Sequence, residues 1–64
     1  MKEVFMKHGF GKRGNIFIDL LEGKHQVIQC DGEYIIQRIG KRKCINLAYA
    51  RTAVELDNAL EQLN

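Results

Sequence analysis

Four side chains could ligate a soft metal or form a nucleophile–base pair: His8, His25, Cys30 and Cys44. Their spacing is His-x16-His-x4-Cys-x13-Cys. A structural zinc site usually offers a close pair such as Cys-x2-Cys, and none is present, so no metal is expected. His25 and Cys30 lie five residues apart on one predicted strand and so point to opposite faces, which removes a Cys–His nucleophile. The chain has no serine to take that role. Gly9-Phe10-Gly11-Lys12-Arg13-Gly14 fits Gly-x-Gly-x-x-Gly. A strand pattern follows it rather than a helix, so it does not read as a dinucleotide fingerprint. Asp19 and Glu33 are carboxylates with no evident pocket. Neither an enzyme, a cofactor nor a small-molecule substrate is expected.

The chemistry that remains is electrostatic. Gly40-Lys41-Arg42-Lys43 is a compact basic turn. Cations on a glycine-hinged loop can reach phosphates, and each contact releases counterions. Equally, charged turns keep small proteins in solution. The ten Lys and Arg all fall within residues 1–51, which carry a net +5, whereas residues 52–64 carry −3. The whole chain is only +2, well short of a histone-like charge.

These side chains need elements to position them. Residues 3–8 alternate as a first strand, with Val4 and Met6 on one face and Phe5 on the other. Three glycines between 9 and 15 predict a turn or loop. Residues 16–21 and 25–30 read as the next two strands, joined by Glu22-Gly23-Lys24. Asp31-Gly32 is a strong two-residue hairpin signal. It predicts Cys30 opposite Glu33, Gln29 opposite Tyr34, Ile28 opposite Ile35, Val27 opposite Ile36 and His25 opposite Arg38. A fourth strand spans 33–39.

Two readings compete beyond the basic turn. In the favoured one a helix runs from Leu47 to Leu63, because Tyr49, Ala53, Leu56, Leu60 and Leu63 recur at helical spacing. In the other, 44–50 is a fifth strand and Thr52 caps a shorter helix, since Thr52-Ala53-Val54-Glu55 matches a capping box. The fold expected is therefore α+β: an antiparallel meander of four, or five, strands with one C-terminal amphipathic helix on one face, as a single small domain over residues 1–64.

A meander gathers alternate turns at one end of the sheet. Lys24, His25, Lys41, Arg42 and Lys43 should then cluster, opposed only by Glu22. Tyr34 is either a core tyrosine or a base-stacking group. Phe5 and Phe17 either form a small apolar layer or an exposed patch for a protein. The sequence has no apolar run long enough to span a membrane and no apolar leader at its start, so a cytoplasmic protein is expected. Two cysteines without a secretion signal predict free, buried thiols.

The stretch Gly40-Lys41-Arg42-Lys43-Cys44-Ile45-Asn46-Leu47, followed by Ala53, Glu55 and Leu56, is loosely similar to the sheet-to-helix junction of the arm-type DNA-binding domains of some transposon integrases. That resemblance implies a three-stranded sheet on one helix, with the sheet laid in the major groove of DNA.

Two functional expectations follow. The first is a non-catalytic protein that contacts nucleic acid or a nucleic-acid-handling protein through Lys24, Lys41, Arg42 and Lys43. The second is a protein-interaction module or inhibitor, of the phage or mobile-element type. It would act through Phe5 and Phe17 on an open sheet face, or through Glu55, Asp57 and Glu61 on the helix. A homodimer through such a face is compatible with either.

Overall fold

A computed structural model describes residues 2–63. Five antiparallel strands form one sheet in sequence order: β1 (Phe10–Arg13), β2 (Ile16–Asp19), β3 (His25–Cys30), β4 (Glu33–Ile39) and β5 (Cys44–Ala50). Two helices flank them in sequence, α1 (Lys2–Lys7) and α2 (Ala53–Glu61). The α+β meander with a C-terminal helix is as expected, in its five-stranded form.

The β3–β4 hairpin follows the Asp-Gly signal residue for residue, from His25 opposite Arg38 to Cys30 opposite Glu33. Asp31 (φ 52°) and Gly32 (φ 76°) both take positive φ, as a type I′ turn requires.

Three expectations are corrected. Residues 3–8 are not a strand; Lys2–Lys7 is helix α1. Its six residues are too few for a helix to persist alone, so packing must hold it. Phe5 supplies that packing: it is 1% exposed and lies parallel to Phe17, with ring centroids 3.8 Å apart. The glycine-rich stretch is not an irregular loop either. Phe10–Arg13 is β1, and Gly14 and Asn15 make its turn into β2. Finally, the helix does not begin at Leu47. Cys44–Ala50 is β5, paired along β4 with an irregularity between Ile36 and Gln37. The capping-box signal marks the true start of α2: Thr52 Oγ1 accepts from Glu55 N at 3.1 Å. Glu55 Oε1 in turn accepts from Arg51 N at 2.8 Å.

All the buried residues sit on one side of the sheet. Phe10, Val27, Ile36 and Ala50 face Phe5 of α1 and Leu56 and Leu60 of α2. Small residues at Ala48 and Ala50 let α2 approach the sheet closely. Neither of the two described helices covers the opposite face. None of the described helices is long and apolar enough to cross a membrane.

Candidate functional site

The basic residues gather as the meander requires. Ile39 N donates to Lys24 O at 2.8 Å, tying the β2–β3 turn to the end of β4. Gly40 N donates to Lys43 O at 3.1 Å and closes the β4–β5 turn. A Cβ at Gly40 would lie 2.5 Å from that same carbonyl oxygen, so the turn needs glycine there. Lys24, Arg38, Lys41, Arg42 and Lys43 thereby share one end of the sheet and are all exposed. Lys24 is held by Glu22 at 3.1 Å. Arg38, Lys41, Arg42 and Lys43 have no acidic partner among the described residues. Arg38 was not expected at this site, although the Asp-Gly register placed it beside His25.

The expected protein-interface residues are arranged differently. Phe5 is in the core, and Phe17 is partly buried against it on the helix-covered side. Neither belongs to the open face. Tyr34 packs on the same side, edge-on to Phe5 at 5.7 Å, rather than presenting its ring for stacking. The three acids of α2 are all engaged within the chain. Glu55 completes the cap. Asp57 takes Lys7 Nζ at 3.1 Å and His8 Nε2 at 2.6 Å. Glu61 lies 4.0 Å from Lys7 Nζ.

His8, Asp57 and Glu61 bring one ligand atom each within 4.8 Å of one another, a grouping the sequence spacing did not reveal. Lys7 already supplies a cation to both carboxylates, so the cluster is satisfied as an ion-pair network joining the α1–β1 corner to α2. Hydrogen bonds from His8 first and Lys7 second hold the Asp57 carboxyl below its ordinary range. The His8 side chain is only 6% exposed. It borders a cavity of about 80 Å³ that His25, Asp19 and Glu22 also line. Asp19 is committed there, because its Oδ1 accepts the backbone N–H groups of Leu21 and Glu22.

The uncovered face is the second candidate. Strand alternation and register put Ile16, Ile18, Ile28, Ile35 and Tyr49 on it. Ile28, Ile35 and Tyr49 lie side by side across β3, β4 and β5. Beside this apolar row runs a chain of amides. Gln26 Nε2 donates to Gln37 Oε1 at 2.8 Å, Gln37 Nε2 to Asn46 Oδ1 at 2.7 Å, and Asn46 Nδ2 to Tyr49 Oη at 3.2 Å. Its charges are Arg13 and a Glu33–Arg51 pair at 3.2 Å. Cys30 and Cys44 are free thiols as expected, yet exposed rather than buried, because both side chains fall on this face.

The segment that resembles an integrase sheet-to-helix junction is here the β4–β5 turn and strand β5, in a sheet of five strands rather than three. No protein-family model, curated protein or solved structure matches the chain, so function must be argued from the basic sheet end and the uncovered face.

Proposed function

We propose that the chain is a non-catalytic binding protein whose basic sheet end contacts the phosphates of nucleic acid, alone or within a nucleoprotein. What supports the reading is the gathering of Lys24, Arg38, Lys41, Arg42 and Lys43 at one end, four of them with no acidic partner among the described residues. Four unopposed cations predict a log–log salt slope of about −3.6 on duplex DNA, so a fourfold rise in salt weakens binding about 150-fold. Fluorescence anisotropy with a mixed-sequence duplex measures this. Reversing Lys41 and Arg42 to glutamate should abolish binding, and no binding at about 50 mM salt would remove the reading.

A second reading is favoured by the uncovered sheet face: a module that binds a protein through Ile28, Ile35 and Tyr49. A five-stranded face carrying this much aliphatic surface is more than scattered single residues at a surface. A pull-down after nuclease treatment separates the readings, since only the second keeps its partner.

A further inference from the structure

We infer that the protein on this uncovered face is a second copy of the chain, packed sheet against sheet about a two-fold axis. The inference rests on the second reading, and three observations argue for this occupant.

The first is charge. A two-fold interface sets a surface against itself, so any net charge on it is doubled and repels. This chain is +2 overall and far more basic at one sheet end. The uncovered face avoids that bias. It carries Arg13 at the rim of the β1 edge and a Glu33–Arg51 pair that neutralises itself. Between them lies a centre without charge.

The second is area. The 28 strand residues, at about 3.3 Å each with strands about 4.8 Å apart, present roughly 450 Å² per copy, or about 900 Å² for two. That is just under the size of a standard specific interface, and it suits a weak, reversible dimer with a dissociation constant on the order of 1–100 µM.

The third is the pattern. The Ile28–Ile35–Tyr49 row supplies an apolar centre. The amide chain has each member donating to the next, so every side-chain nitrogen and oxygen in it except Gln26 Oε1 already has a partner within one copy. A pre-satisfied polar row can be covered by apolar side chains at low desolvation cost. Aligned packing of two twisted sheets, about 30° apart and 10 Å face to face, would bring that about. Such a dimer would also carry two basic ends, raising avidity for one polyanion without any new contact.

Analytical ultracentrifugation without nucleic acid tests this. The wild type should pass from 7.4 kDa to twice that mass as concentration rises through the micromolar range. Tyr49→Lys should remain at 7.4 kDa, with an unchanged far-ultraviolet spectrum to show that it folds. Tyr49 suits this purpose because it is half exposed and its ring is not in the core. Val54→Lys, on the outer side of α2, should dimerise as the wild type does. A 7.4 kDa species at every concentration would overturn the inference. So would a dimer that Tyr49→Lys leaves intact. If the monomer nevertheless retains a different protein, and Tyr49→Lys abolishes that retention, the second reading stands and only the identity of the occupant is refuted.

Discussion

Phe5 is the residue whose loss the fold should tolerate least. It is the one buried side chain of α1, and it touches three other rings: Phe17 at 3.8 Å, Tyr34 at 5.7 Å and Phe10 at 6.3 Å. Truncating a buried phenylalanine to alanine costs about 3–5 kcal/mol, because burial is lost and the space is only partly refilled. A domain of this size has about 3–10 kcal/mol of stability in all. Phe5→Ala should therefore leave the chain largely unfolded, or lower its melting temperature by at least about 12 °C. Phe5→Leu keeps aliphatic burial and forfeits the ring pairs, which are worth about 0.5–1.5 kcal/mol each. With three such pairs lost, it should melt at least about 6 °C below the wild type. Met6→Ala is the control. Met6 is 66% exposed on the same short helix, and its removal should change stability by no more than about 0.5 kcal/mol. Thermal unfolding followed by circular dichroism measures all three. If Phe5→Ala lost less than about 1 kcal/mol, the aromatic cluster would not be what holds α1 on the sheet. Phe5 and Phe17 would then be available to a partner after all.

Two further outcomes follow from local contacts. Thr52→Ala removes the hydroxyl that accepts from Glu55 N, and should cost about 1 kcal/mol, or roughly 4–8 °C in melting temperature. Asp57 titrates below its ordinary range when folded, so its contribution is complete above its unfolded value of 3.8 and fades as pH falls through the lower folded value. Asp57→Asn should therefore melt below the wild type at about pH 7, and the gap should narrow progressively as pH falls below 3.8; a gap that does not narrow on acidification would refute the His8–Lys7–Asp57 linkage.

How much of this was legible in the sequence depends on how local the cause was. The β3–β4 register was fully legible because two adjacent residues, Asp31 and Gly32, fix a turn whose twist admits one pairing. The gathering of Lys24 with Lys41, Arg42 and Lys43 followed from strand order alone. What was not legible lay where a distant partner decides the local state. Val4, Phe5 and Met6 alternate as well in a strand as in one helical turn, and the choice falls to Phe5, which reaches Phe17 only after the sheet exists. The same applied to His8: nothing in its neighbours pointed to Asp57, forty-nine positions away.

The ambiguity over 44–50 has a sharper physical origin. Tyr49, Ala53, Leu56, Leu60 and Leu63 do fall at helical spacing, but the stripe is shared between two elements. Leu56 and Leu60 are buried beneath α2, whereas Tyr49 stands on the far side of the sheet and Ala53 is exposed. A periodic pattern counts apolar residues without asking which surface receives them. The sheet does ask. If residues 47–50 were helical, the β5 side of β4 would lose its partner from Ile36 to Tyr34, leaving the backbone beside a buried isoleucine unpaired. Pairing with Ala48 and Ala50 satisfies that edge and keeps α2 close to the sheet, while β5 contributes Asn46 and Tyr49 to the opposite face. The strand that closes the core is therefore the same one that builds the uncovered surface. Any substitution that shifts its register, rather than its individual side chains, should disturb folding and binding together, whereas Tyr49→Lys should separate them.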